Sequence, residues 1–179
     1  MLTCGDRLAV CFNAPVVQVL AGHEERIHPA LVALGPDVLG AGFDLDEVLR
    51  RSAARPPRTL VGELLLDQNV VAGFGNVYRC EALFLRGLDP WTPIGELSPV
   101  DLAALVDVGR RLIAPNARPG SPIARDLGLG RDGAWVYNRT GRPYRRCRTP
   151  IRSERLGEQA RMAYWCPHCQ RRPSAEEPA

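Results

Sequence analysis

The sequence contains no lysine; all 23 of its basic residues are arginine. An arginine side chain stays protonated at any working pH, so it cannot act as an amine nucleophile. Its planar guanidinium can nevertheless bond two oxygens of one phosphate. The absence of lysine therefore excludes imine chemistry at a side-chain amine, whereas phosphate binding stays open. The bias itself can reflect genome composition and indicates no partner.

A long apolar run is also absent. No segment has the roughly 20 apolar residues that a transmembrane helix needs. Polar residues interrupt the N-terminal segment at Asp6, Arg7, Asn13 and Gln18. We therefore expect no signal peptide, no transmembrane helix and no membrane partner.

Six cysteines without a targeting sequence favour a reducing compartment, the cytoplasm. Cys4, Cys11 and Cys80 lack ligand-like spacing, so we predict that they pack as small hydrophobic residues. His23 and His28 fall in a polar stretch and are expected in a solvated loop.

The chain of 179 residues, 45% of them hydrophobic, is long enough to bury a core. Residues 7–12 and 16–20 are rich in β-formers and predict two strands. Two strands alone are marginal in water, so we expect a sheet whose remainder is missing or lies elsewhere. Helical patterns follow these strands, and the predicted fold class is α+β.

The middle of the chain predicts helices. Asp44 and Glu47 form a capping-box pattern that opens a helix to about residue 54. Residues 59–68 are apolar enough for a buried helix, and residues 77–86 predict another.

The longest predicted helix begins at Ser98 and Pro99 and runs to about residue 114. Its apolar positions predict one buried face, at residues 102, 105, 106, 112 and 113. Residues 115–132 are rich in proline and glycine and predict a linker. The resulting domain boundaries are 1–42 for the β segment, 43–130 for the helical domain, 131–172 for a ribbon and 173–179 for a disordered tail.

The cysteine spacing near the C-terminus is typical of a zinc ribbon. Tyr144 and Cys147 enclose two residues, eighteen residues follow, and Cys166 and Cys169 enclose two more. Two such pairs supply four thiolates to a tetrahedral ion, but here Tyr144 fills the fourth position. A phenol titrates near about 10 and is a poor zinc ligand at neutral pH, and His168 is expected to be exposed and non-liganding. Zinc occupancy therefore stays open. Without metal, the ribbon would depend on four aromatic side chains, Trp135, Tyr144, Tyr164 and Trp165.

The hairpin between the two pairs is strongly basic. Residues 139–172 contain ten arginines and two acidic residues, a formal charge of +8 in a chain whose total is +3. The rest of the chain therefore carries −5. Such concentrated positive charge is typical of a nucleic-acid contact.

A turn that contains Gly73, Gly75 and Asn76 lies between two predicted helices. The helix after it begins with free backbone N–H groups and a partial positive charge, which suit a phosphate. The Asn76 amide could also donate to a phosphate oxygen. Alternatively, Asn76 only caps the helix and the glycines only form the turn. These residues alone do not decide between the two interpretations.

Four segments resemble, in the right order, the bacterial formamidopyrimidine-DNA glycosylase and endonuclease VIII family. Residues 66–84 resemble its helix–two-turn–helix segment, and residues 34–39 resemble the segment before it. Residues 136–147 and 161–170 resemble its C-terminal zinc finger. The resemblance implies a β-sandwich remnant, a helix–two-turn–helix domain and a zinc-ribbon hairpin. It also implies base-excision repair of oxidised bases, with extrusion of the base and strand incision.

The resemblance assigns site residues as well. Asn76, which follows Gly75, resembles the family's phosphate-binding asparagine, and Arg161 resembles the finger arginine that grips phosphate beside the damaged nucleotide. Three zinc ligands are matched, by Cys147, Cys166 and Cys169. The implied partner is double-stranded DNA with a damaged or abasic nucleotide. We expect a monomer that associates with the bacterial nucleoid.

The N-terminus departs from the family pattern. Family members attack the sugar C1′ with the amine of an N-terminal proline, which a glutamate follows and a lysine assists. This chain begins Met-Leu-Thr-Cys and has no lysine, so we assign it no catalytic residue. Either it is an incomplete DNA glycosylase/AP lyase or it is a non-catalytic module that binds damaged DNA. The helix–two-turn–helix resemblance argues against a third interpretation, a zinc-ribbon RNA-binding protein.

Overall fold

The computed structural model describes three stretches of the chain, residues 2–11, 16–117 and 133–171. The chain divides into two compact units, Met1–Ala33 and Leu34–Ala179. Most of the predicted linker and the whole predicted tail lie outside the described stretches. Among the helices within those stretches, none combines the length and the hydropathy that a membrane crossing requires.

The first unit contains a short antiparallel hairpin and two short helical segments. β1 (Leu2–Cys4) pairs with β2 (Arg7–Ala9). Gly5 in the connecting turn has a φ of 60°, a left-handed conformation that glycine adopts at no steric cost. A 3₁₀ turn at Glu24–Arg26 and the helix α1 (Pro29–Val32) follow.

Residues 16–20 form no strand, so the strand predicted there is wrong. β2 pairs instead with the residues before it, because the tight turn at Gly5 closes a much shorter loop. The predicted solvated environment is confirmed for His23 but not for His28, whose Nδ1 atom is buried. His23 is exposed, and the half-buried His28 shares a hydrogen bond with Gln18 (Nε2 to Oε1, 2.8 Å).

The described part of the second unit is mainly helical and ends in a hairpin. Its α-helices are α2 (Leu45–Ala53), α3 (Val61–Leu64), α4 (Asn76–Leu85) and α5 (Pro99–Ile113). Single 3₁₀ turns occur at Ile94–Glu96 and Ala114–Ala117. The hairpin consists of β3 (Arg152–Leu156) and β4 (Arg161–Trp165).

Two helices begin where local sequence signals predict. The Asp44 carboxylate accepts the N–H of Glu47 (3.0 Å) at the start of α2. The Ser98 hydroxyl accepts the N–H of Asp101 (3.1 Å) at the start of α5. The predicted buried face of α5 is confirmed, because all five of its members are buried, Leu102, Leu105, Val106, Leu112 and Ile113.

The helix predicted at residues 59–68 is shorter than expected, because α3 occupies only four residues. The Thr59 carbonyl and the Val61 N–H bond instead to the segment at residues 92–94, at 2.8 Å each. These tertiary hydrogen bonds pair backbone groups that would otherwise have to pair within a longer helix. The burial predicted for the segment is confirmed at Leu64 and Leu65.

The turn before α4 packs directly on α5 at a position that has no side chain. A Cβ built on Gly109 would overlap the ring of Phe74, so only glycine admits this approach. Phe74 and the buried face of α5 belong to one core cluster, which α2, α3 and α4 complete through Val48, Leu64 and Leu83. The start of α4 is thereby fixed by close packing.

Candidate nucleic-acid interface and metal centre

The start of α4 lies against the start of β4. The side-chain amide of Asn76 donates to the carbonyl of Met162 (Nδ2 to O, 3.0 Å), the residue that follows Arg161. Residues 86 positions apart in sequence are thus joined at one junction. The fold brings Asn76 and Arg161, the two predicted phosphate ligands, into adjacent positions.

The interpretation of Asn76 as a helix cap is wrong. The N-cap is Gly75, and Asn76 is the first helical residue, with its side chain directed to β4. Its Oδ1 atom is buried and has no hydrogen-bond partner among the described residues. A buried oxygen without a partner is uncommon, and a ligand or water that donates to it would satisfy the group.

Of the two turn glycines, only Gly73 is required by backbone conformation and packing. Gly73 has a φ of 99°, and a Cβ there would lie 2.7 Å from Val38 Cγ2. Gly75 has an ordinary φ of −106°, and nothing lies within 4 Å of a Cβ built on it. Neither backbone strain nor packing therefore requires glycine at position 75. The open space beside it leaves the N-terminus of α4 accessible.

A fully buried arginine, Arg79, connects α4 to β4 more extensively than Asn76 does. Its Nη2 donates to the carbonyls of Met162 (2.9 Å) and Arg161 (3.5 Å), and its Nη1 donates to that of Gly62 (3.4 Å). Arginine is almost never fully buried without such partners. Sequence reasoning missed this residue. The only local signal was a charged residue in an otherwise apolar helical segment.

Glu81, also buried and also missed, fixes the start of the ribbon. Its carboxylate accepts the backbone N–H groups of Trp135 (2.7 Å), Val136 (3.0 Å) and Tyr137 (2.7 Å). Burial raises the pKa of Glu81, although these three hydrogen bonds act in the opposite direction. One carboxylate on α4 thus orients three consecutive residues that precede the cysteines.

Arg161 begins β4 and is exposed. The ribbon exposes seven further arginines, Arg142, Arg145, Arg146, Arg148, Arg152, Arg155 and Arg171. Arg145 aside, none of these forms an ion pair with a carboxylate within the described stretches. The positive charge of the ribbon is therefore directed to solvent, as a phosphate-binding surface requires.

The three predicted ligand cysteines converge. Cys147 Sγ lies 3.5 Å from both Cys166 Sγ and Cys169 Sγ, and all three sulfur atoms lie within 4.8 Å of one another. The cluster could hold a metal ion. A tetrahedral site with metal–sulfur bonds of about 2.3 Å places its sulfurs about 3.8 Å apart, close to this geometry. His168 is exposed and outside the cluster, as expected.

Tyr144 packs in the same cluster of side chains as the three cysteines. Its ring is buried against Phe84 of α4, with centroids 4.8 Å apart in an edge-to-face arrangement.

Burial tends to raise the pKa of Cys147, but hydrogen bonds from Thr149 and the neighbouring thiols lower that pKa to about 7. Burial and the neighbouring thiols raise the pKa of Cys169 to about 12. The hydrogen bonds around Cys147 therefore favour its thiolate form.

Aromatic contacts attach the ribbon to the helices. Trp135 stacks on Phe84 at 6.3 Å, and Trp165 packs edge to face on Trp91 at 4.5 Å. Within the ribbon, Tyr164 packs edge to face on Tyr137, with ring centroids 5.1 Å apart. Phe84 and Trp91 belong to the helical part, so the ribbon and helices share an aromatic boundary.

Comparison with known proteins finds similar chains and a matching family. Residues 34–120 match the family described as Formamidopyrimidine-DNA glycosylase H2TH domain. The chain is 42% identical over 177 residues to the probable endonuclease 8 2 of Streptomyces coelicolor, covering 97% of this chain and 62% of that protein. It is 37% identical over 171 residues to the DNA-(apurinic or apyrimidinic site) lyase Nei2 of Mycolicibacterium smegmatis, covering 95% and 65%.

A solved structure shares the fold. The MutM (Fpg) protein of Thermus thermophilus superposes with a TM-score of 0.66 and 29% identity, covering 84% of this chain and 58% of that one. The chain thus spans about three fifths of the length of these proteins. The alignment with the Streptomyces protein covers nearly the whole chain, so it includes both the α4 turn and the cysteine ribbon.

Proposed function

Because the chain belongs to the formamidopyrimidine-DNA glycosylase/endonuclease VIII (Fpg/Nei) family, we propose that it binds double-stranded DNA at a damaged or abasic nucleotide during base-excision repair. The observation that carries this proposal is the hydrogen bond from Asn76 to Met162, which joins the turn to the ribbon beside Arg161. One phosphate group can then contact the N-terminus of α4, the Asn76 side chain and the Arg161 guanidinium.

In this proposal the described residues bind DNA, and none of them is assigned a role in catalysis. The α4 turn and the ribbon bind and orient the duplex, and the exposed arginines neutralise its phosphates. The sequence has no lysine, so we assign it no side-chain amine nucleophile. Glycosylase and AP lyase activity on oxidised bases would then require a segment of the longer relatives, whereas a non-catalytic damaged-DNA-binding module would need none.

The finer architecture is part of the proposal. Residues 1–42 would belong to a β-sandwich, residues 43–130 to the helix–two-turn–helix domain and residues 131–172 to the zinc ribbon. The antiparallel hairpin of β1 and β2 supports the first assignment, and the family match at 34–120 supports the second.

We infer that zinc is the metal of the cysteine cluster. Cys147, Cys166 and Cys169 would hold it, since thiolates suit zinc and the sulfur separations match a tetrahedral site. Bound zinc would be structural and would tie the two knuckles together. Tyr144, packed on Phe84, leaves the fourth position without a thiolate.

A binding measurement tests the proposed function. The purified chain is titrated into a fluorescent duplex with a central abasic-site analogue and, in parallel, into the undamaged duplex. Phosphate neutralisation predicts affinity that falls steeply between low and physiological salt. Preference for the abasic duplex supports damage recognition. Affinity that is independent of salt, or no binding to either duplex, contradicts the proposal.

A further inference from the structure

A second exposed basic surface lies at the far end of the ribbon from Arg161. In the hairpin, Leu156 faces Arg161 near the turn, and Arg152 faces Trp165 at the opposite end. Cys166 follows Trp165 and lies 3.5 Å from Cys147 through their sulfur atoms. The loop around Cys147 therefore lies at the opposite end of the hairpin from Arg161. We name its exposed arginines, Arg142, Arg146, Arg148 and Arg152, the knuckle surface.

The knuckle surface carries positive charge without local compensation. Residues 142–152 contain five arginines and no acidic residue. The four arginines of the knuckle surface form no ion pair with a carboxylate of the described stretches. Positive charges this close together repel one another, because no carboxylate lies between them in the sequence. An anionic partner would therefore stabilise the surface.

The backbone at Arg148 adds an independent observation. Arg148 has a φ of 63°, in the left-handed region that glycine occupies without strain. A hydrogen bond from its N–H to the Tyr144 carbonyl (2.8 Å) holds this knuckle conformation. An arginine side chain there is strained relative to glycine. Strain of this kind at an exposed cation is typical of a functional position.

We propose that the knuckle surface is a second phosphate-binding site, which contacts the duplex beyond the nucleotides held at the α4–β4 junction. This inference rests on the proposed function. Five residue steps separate Arg161 from Cys166, about 17 Å of extended strand. That distance corresponds to about five nucleotides along one DNA strand. The two sites therefore fit phosphates several nucleotides apart.

Surface composition favours nucleic acid over a protein partner. No large hydrophobic side chain in residues 133–171 is exposed. Protein interfaces need a desolvated apolar or aromatic centre, whereas DNA interfaces are polar, wet and positively charged. The knuckle surface offers only guanidinium groups, which bind phosphate oxygens in pairs.

The test compares two double variants of equal charge. Arg146→Gln with Arg148→Gly removes two knuckle charges, and the glycine also relieves the backbone strain. Arg50→Gln with Arg111→Gln removes two exposed charges from α2 and α5 and serves as the control. Salt titrations of binding to the abasic duplex are recorded for the parent and both variants. Circular dichroism and metal content verify that the ribbon is intact.

We expect the knuckle variant to lower the slope of log affinity against log salt by about 2, because each lost phosphate contact removes about one counterion. The control variant should keep the parent slope. On a duplex truncated to the nucleotides beside the lesion, the parent and the knuckle variant should bind alike. A parent-like slope for the knuckle variant on the long duplex overturns this inference alone. A parent that binds no duplex overturns both this inference and the proposed function.

Discussion

The buried guanidinium of Arg79 donates to the carbonyl of Met162 at 2.9 Å. This bond crosses from the middle of α4 to the strand that presents Arg161. Asn76 donates to the same carbonyl from the first residue of α4. The carbonyl therefore receives two donors from one helix, and the position of Arg161 depends on both.

Arg79→Met should detach β4 from α4 and weaken DNA binding. Methionine fills part of the volume but leaves the Arg161 and Gly62 carbonyls without their donor. Loss of such buried hydrogen bonds lowers the free energy of unfolding by about 1–3 kcal/mol. Chemical denaturation and duplex binding measure the two effects. Arg79→Lys, which keeps the charge but not the forked geometry, should fall between parent and Arg79→Met. Parent-like affinity for Arg79→Met would show that the junction does not need this residue.

Glu81→Ala should destabilise the ribbon. Three backbone N–H groups would lose their acceptor, and each buried orphan donor costs about 1–3 kcal/mol before relaxation. We expect the free energy of unfolding to fall by about 3 kcal/mol, measured by urea denaturation. Glu96→Ala, at an exposed carboxylate, is the matched control and should stay close to the parent. Equal stability of the two variants would refute the anchoring role of Glu81.

Tyr144→Cys should strengthen metal retention. A fourth thiolate would complete a closed tetrahedral site beside Cys147, Cys166 and Cys169. Metal content after a chelator challenge distinguishes parent from variant. Because the substitution also removes the ring contact with Phe84, Tyr144→Ala is the control for lost packing. A parent that keeps one zinc per chain as firmly as Tyr144→Cys would show that another group completes the site.

The chain alone should form no covalent adduct with abasic DNA under borohydride reduction. The imine requires an uncharged amine positioned near C1′, and this sequence offers no lysine side chain. Gel electrophoresis of the reduced mixture detects an adduct. The incomplete-enzyme hypothesis predicts trapping once a half-domain that begins with Pro-Glu is restored. Trapping by the chain alone would show that its own N-terminal amine is the nucleophile.

Local signals predicted the parts of the fold that depend on neighbouring residues. Asp44 and Ser98 cap helices through bonds three residues away, and both starts were predicted correctly. Cysteine spacing likewise predicted a convergent cluster, because short knuckles impose the approach of their own ligands. The length of α3 was predicted wrongly, because the start of this segment forms long-range hydrogen bonds to residues 92–94 instead of helical ones.

The candidate site was predicted only in part for the same reason. Asn76 and Arg161 were found through family resemblance, but their adjacency depends on a contact across 86 residues. Arg79 and Glu81 act through backbone groups of the ribbon, and no sequence pattern specifies such partners. A charged residue inside an apolar helix signals a buried contact without naming the group that it contacts.

The most direct test of the account is the affinity of the Asn76→Ala and Arg161→Ala variants for a duplex with an abasic-site analogue. Fluorescence anisotropy compares them with the parent and with Arg111→Gln, an exposed charge change on α5. Each site variant should lose about 1–3 kcal/mol of binding free energy, the range for charged or buried hydrogen bonds. The Arg111→Gln control should bind like the parent. Parent-like affinity of both site variants, with their fold intact, would contradict the assignment of the α4–β4 junction as the phosphate-binding site.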